Sequence, residues 1–127
     1  MKIHISIGEL VDKVTILTIK LRRITDKLKL KNIKNEYNEL IIPMNIAGIQ
    51  TSNRYFNKLL EINTQLWKIE DRIRLKESKQ QFDDEFIQLA RSIYFINDKR
   101  SEVKKEINLK YGSDIIEEKE YVNYKAE

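Results

Sequence analysis

From Ser6 the apolar residues fall at Ile7, Leu10, Val14, Leu17, Leu21, Ile24 and Leu28. These alternating spacings of three and four form the seam of a helix that packs on other helices. Ser6 with Glu9 fits a capping box, the hydroxyl accepting from an N-terminal amide while the carboxylate reaches back. The first helix is therefore expected over about 6–26. After Leu28 the phase changes to Leu30, Ile33, Tyr37, Leu40 and Ile41, so a turn near Thr25–Lys29 is expected, with Asp26 capping a second helix over about 27–41. That helix should stop before Pro43, because a residue preceding proline avoids helical angles, and 42–51 should form a loop.

A third helix is expected over about 52–76. One stripe carries Tyr55, Leu59, Ile62, Leu66, Ile69 and Ile73, with Phe56, Leu60 and Trp67 beside it. Asp83 or Asp84 should open a fourth helix, about 83–111, whose stripe is Phe86, Leu89, Ile93, Ile96, Val103 and Ile107 and whose stop is Gly112 at the left-handed cap position. Residues 112–127 would add a short helix or tail. Lys2–Ile5 alternates polar and apolar, as a short extended segment does. Short connections between four amphipathic helices predict a single all-α domain over 1–127, an antiparallel four-helix bundle. Ile16, Ile19 and Leu30 lie away from the first helix's main seam, so something must cover them. Either the second helix and the tail cover them or another subunit does, and a homodimer built through that helix is the preferred expectation.

Composition narrows the chemistry. The absence of cysteine removes disulfides, zinc knuckles, iron–sulfur clusters and thiolate nucleophiles. Charged residues reach 35%, above the roughly 25% of an average domain, and only three Gly and one Pro are present, which suits long solvated helices. The N-terminus lacks the apolar core of a signal peptide, and no run approaches the roughly 18 apolar residues of a membrane span. The expectation is a cytoplasmic protein without a membrane partner. No phosphate loop, nucleophile elbow or zinc-binding histidine motif is present, and His4 stands alone, so no cofactor and no metal are expected.

Polar residues interrupt the stripes. Arg100 falls where the fourth seam calls for an apolar residue, with Asn97 and Lys104 beside it, while Asn63, Glu70 and Arg74 border the third stripe. With helices three and four antiparallel, Asn63 comes level with Ile96 and Asn97, and Thr18 of the first helix joins them. Enclosed guanidinium or amide groups need partners, so these residues either pair as a register-fixing layer or hold a small anion. Carboxylates three apart, Glu9 with Asp12 and Glu36 with Glu39, resemble the magnesium-holding pairs of helical nucleotide pyrophosphohydrolases. Against that site, Glu9 and Asp12 lie opposite the main seam. Residues 20–34 carry seven basic side chains against Asp26, a local +6, so the rest of the chain sums to −2. The bland reading is a solvated hairpin. Nucleic acid or another polyanion is the functional alternative, and apart from Tyr37 that stretch lacks aromatics to stack bases.

The segments SIGELVDKVTIL from Ser6, LWKIEDRIR from Leu66, FIQLARSIYFINDKR from Phe86 and GSDIIEEKEY from Gly112 resemble a family of short uncharacterised proteins of bacteria and bacteriophages. The resemblance spans nearly the whole chain and implies a helical fold but no activity. It singles out Glu9, Asp12, Lys13, Glu70, Asp71, Arg91, Asn97, Asp98, Arg100, Glu117, Glu118 and Lys119. Glu117, Glu118 and Glu120 would fold the tail back onto basic helix surface.

Two classes of function follow. The first is a small helical interaction or accessory protein, a homodimer or the binder of a protein partner, with no reaction assigned. The second is a binder of phosphate or carboxylate groups, or a magnesium-dependent pyrophosphohydrolase-like enzyme, using Glu70, Asp71, Arg74, Asn97, Asp98, Arg100 and Lys104.

Overall fold

The computed structural model describes residues 1–125. It is all-helical, with four helices: α1 (Ile7–Arg23), α2 (Lys27–Ile46), α3 (Arg54–Ser78) and α4 (Asp84–Lys110). No strand occurs among the described residues, and residues 1–6 and 113–125 hold no helix.

Each helix starts on a side-chain cap. Ser6, Asp26, Asn53 and Asp83 accept from backbone amides of the first turn, satisfying donors that have no intrahelical partner. Asn53, rather than Ser52, opens α3, and its amide nitrogen also donates to the Tyr111 hydroxyl at 2.6 Å, tying the start of α3 to the end of α4. α1 is shorter than its apolar seam suggests, because Ile24 turns to extended angles two residues before Asp26 caps α2.

α2 departs most from expectation. It runs through Pro43 to Ile46. The missing proline N–H strips a partner from the carbonyl of Glu39, an exposed residue whose carbonyl water can serve. In return Met44 is carried into the core. The real stop is a Schellman motif: Gly48, with φ of +91°, donates to the Asn45 carbonyl at 3.0 Å, and Ile49 donates to Met44 at 3.1 Å. The flanking Ile49 is then fully buried. α4 ends similarly at Gly112, with Ser113 donating to the Asn108 carbonyl at 2.9 Å.

α1 is the hub. It packs on α2, α3 and α4; α3 packs on α4; and α2 touches α1 alone. Leu10, Val11 and Val14 of α1 join Phe56, Leu59, Ile62 and Leu66 of α3, Val103 and Ile107 of α4, and Met44 with Ile49. Ile19 is buried as well. Ile19 is thus covered within the chain, whereas Ile16 and Leu30 stay partly exposed.

Cross-helix pairs fix the levels. Along α3 and α4, Asn53 meets Tyr111, Lys58 meets Glu106 and Arg72 meets Glu85. On α1, Gly8 meets Asn108, and Asp12 meets Arg100. A Cβ at Gly8 would collide with the Lys104 carbonyl oxygen, so this glycine permits the close approach of α1 to α4. Seventeen residues of α1 against 25 of α3 and 27 of α4 leave the tip of the α3–α4 hairpin without α1 cover. There Lys76 bridges Asp83 and Glu85 at 2.7 and 3.0 Å, while Leu75, Phe82 and Ile87 stay at least half exposed.

Candidate functional site

The polar layer exists, centred on Asp12. Its carboxylate is 1% exposed and accepts from Arg100 Nε at 2.9 Å and Nη2 at 2.5 Å, and from Asn63 Nδ2 at 2.8 Å. Asn63 also donates to the Thr15 hydroxyl at 2.8 Å, which donates to the Asp12 carbonyl. Asp12 therefore does not lie opposite the seam, as helical phase alone suggests. A helix packed on three others buries more than the one stripe that its main seam marks. Thr18 stays outside the layer because its hydroxyl bonds back to the Val14 carbonyl.

One turn away, Lys104 Nζ reaches Glu9 at 2.6 Å and Glu117 of the tail at 3.6 Å. Glu9 also meets Lys13 at 3.7 Å, and Glu117 meets Lys119 at 3.5 Å. Glu118 meets Lys105 at 3.0 Å. The acidic tail thus lies along basic α4 surface. Among the described residues no buried side-chain N or O lacks a hydrogen-bond partner.

Arg100 divides two clefts. On the tail side, a cleft of about 730 Å³ takes Asn97, Asp98, Arg100, Ser101 and Lys104 from α4, Glu9 from α1, and Glu117, Lys119, Tyr121 and Tyr124 from the tail. Tyr124 donates to Asp98 and packs its ring on Tyr94 and Phe95. On the other side, a cleft of about 410 Å³ between α1, α3 and α4 collects Glu70, Asp71, Arg74, Asn97 and Arg100. Glu70 and Arg74 pair along α3 at 3.7 Å. The candidate ligand residues are therefore gathered around Arg100. Arg91 is not among them: it is exposed on α4 away from both clefts. Thr15, Ser101 and the tail tyrosines were not foreseen. Thr15 carries a signal, since it follows Asp12 by three residues on the same helix face.

The Arg100 pKa is raised above its ordinary value, chiefly by the Asp12 hydrogen bonds and against the effect of burial. Its fork has five N–H donors, and Asp12 engages two of its nitrogens. The guanidinium keeps 29% of its side-chain surface exposed, and its remaining donors meet no acceptor among the described residues.

The magnesium arrangement is not assembled. No group of three His, Asp or Glu side chains able to hold a metal occurs among the described residues. Asp12 is engaged by Asn63 and Arg100, and Glu36 and Glu39 sit exposed on α2, which touches only α1. No helix is long and apolar enough to cross a membrane.

The match to known families is decided over residues 1–126. The chain belongs to the family of unknown function DUF6165. No curated protein and no solved structure matches it significantly. For this DUF6165 member, the geometry around Arg100 is the basis for any reading of function.

Proposed function

We propose that this protein binds a small molecule through a carboxylate or phosphate group held on the free edge of Arg100. The observation that carries this reading is the two-sided use of one guanidinium. A buried carboxylate fixes Nε and Nη2, which orients the planar fork, while the other donors open on clefts of ligand size. Asn97 borders both clefts and supplies an amide to the same ligand group. The Asp12–Asn63–Thr15 layer is then the support that holds Arg100 still. The level pairs along the helices favour an antiparallel bundle forming one domain. The setting assumed is the cytoplasm of a bacterial cell, the chain being encoded by the bacterium or by a bacteriophage.

Arg100→Lys separates binding from folding. Lysine keeps a cation against Asp12 but lacks the second edge of the fork. Thermal shift with inorganic phosphate and with acetate, each against chloride at equal ionic strength, should stabilise the native chain and not the variant. Equal shifts in both, or none in the native chain, would overturn the reading.

A second reading, a helical interaction module, rests on the uncovered α3–α4 tip. Leu75, Phe82 and Ile87 there are 50, 58 and 50% exposed, next to half-buried Ile73 and Phe86. On this reading the tip is the face on which a homodimer forms. Sedimentation equilibrium of the native chain and of Phe82→Ser/Ile87→Ser tests it: a monomer in both cases removes the dimer.

A further inference from the structure

The basic segment around the α1–α2 turn is not explained by the Arg100 site. Lys20, Arg22, Arg23, Lys27, Lys29, Lys31 and Lys34 have no carboxylate within 4.0 Å among the described residues. Asp26, the one acid of the segment, is occupied as the α2 cap. At the tail end, by contrast, Lys104, Lys105 and Lys119 each meet a glutamate. The +6 segment is thus an uncompensated field, which draws and holds polyanions.

Folding adds what the segment itself lacks. Because α2 touches α1 alone, the groove between α1 and α3 stays open beside it. There a cleft of about 680 Å³ sets Arg22 and Arg23 beside Trp67 and Thr64, with Ile19 and Asp71 completing the wall. An indole in a concave site flanked by two unpaired guanidinium groups combines a stacking surface with phosphate ligands, the pairing by which single strands are held.

We propose that this groove binds single-stranded nucleic acid, with Arg22 and Arg23 on the phosphates and a base stacked on Trp67. Asp71 and Thr64 supply acceptor and hydroxyl groups to the edge of that base. The lysines of α2 extend the phosphate track. A duplex keeps its bases stacked inside and cannot place one on the indole. An anionic bilayer would use the convex turn, where Leu28 is 72% exposed between Lys27 and Lys29, and would not reach into the groove.

Trp67 is the one tryptophan of the chain, so its emission reports directly on the site. The full chain is titrated with oligothymidylate about 12 nucleotides long at several salt concentrations. Quenching is expected, with log K falling as salt rises. Arg22→Ala/Arg23→Ala, both exposed positions, should reduce the slope magnitude by about 1.4. Trp67→Leu, followed by anisotropy of labelled oligonucleotide, should weaken binding at least about tenfold with the slope unchanged, and Trp67→Phe should recover part of the loss. Because Ile19, Trp67 and Asp71 also border the Arg100 cleft, the titration is repeated with inorganic phosphate alone at equal ionic strength: quenching that phosphate reproduces belongs to the anion site and overturns the proposal, whereas quenching by the oligonucleotide alone supports it. Circular dichroism establishes that the variants fold. If Trp67→Leu does not fold, the Phe variant and the double arginine variant carry the test. Absence of quenching at low salt overturns the proposal. So does equal affinity for duplex DNA, or tighter binding to phosphatidylserine vesicles that Trp67→Leu leaves unchanged.

Discussion

Arg100 meets Asp12 with two parallel hydrogen bonds, at 2.9 and 2.5 Å, across 88 residues of sequence, and the carboxylate it meets is 1% exposed. The pair is buried on one side only, since the acid is enclosed and the base is not. Its two members therefore respond differently to mutation.

Arg100→Met leaves an enclosed carboxylate with Asn63 as its remaining side-chain donor. Breaking a buried pair in this way costs about 3–5 kcal/mol. Asp12→Leu/Arg100→Met should recover much of that loss, because Asn63 retains Thr15. Urea denaturation of the native chain, both single variants and the double variant gives the coupling. Additive losses would show that the pair does not act as a unit.

Gly8→Ala tests the closest approach in the bundle. The added methyl meets the Lys104 backbone, which cannot turn away as a side chain would, and it crowds Asn108, whose Oδ1 accepts from the Gly8 amide at 2.6 Å. A loss of about 1–3 kcal/mol is expected, at the upper end because backbone must shift. Helix propensity alone would make the change stabilising by about 1 kcal/mol, so the sign of the measured difference decides.

The helices were legible because their periodicity and caps are local. Asp26 and Asp83 cap as the sequence implies, and Gly112 stops α4. Pro43 misled because the rule against proline is a local penalty, whereas burial of Met44 and Ile49 is a tertiary gain. Arg100, Asn63 and Lys104 were recognisable as polar residues on apolar stripes. Asp12 was not, since one stripe describes a helix with one buried face and α1 has several. The tail cleft was beyond helical phase altogether. It depends on where an extended segment lies, and periodicity says nothing of that.

The phenol of Tyr124 titrates far up, at about 12, mainly because it donates to Asp98. A folded pKa above the unfolded value of about 10 means that the stabilising contribution is complete below pH 10 and is lost as pH rises through about 12. The tail should therefore stay docked at neutral pH and lose this anchor in strong alkali. Phenolate absorbance of the native chain against Tyr124→Phe should show one late-titrating tyrosine that the variant lacks. A difference curve centred near 10 would mean that the Asp98 contact does not form in solution.

The tail itself is held by surface pairs and ring contacts, with no buried apolar side chain of its own. Exposed ion pairs contribute little, and Lys104 keeps Glu9 when Glu117 is gone. Truncation after Ser113 preserves the α4 cap and the bond from the Ile7 amide to the Ser113 hydroxyl. Such a chain should keep its helical circular dichroism and melt within about 5 °C of the full chain. Limited trypsin digestion should cut at Lys119 or Lys125 before any site within α1, α3 or α4. The truncation also removes one wall of the larger cleft, while the α1–α3–α4 cleft on the other side of Arg100 stays complete. If phosphate still stabilises the truncated chain through Arg100, the interhelical side holds the anion. If stabilisation disappears with the helices intact, the tail side does.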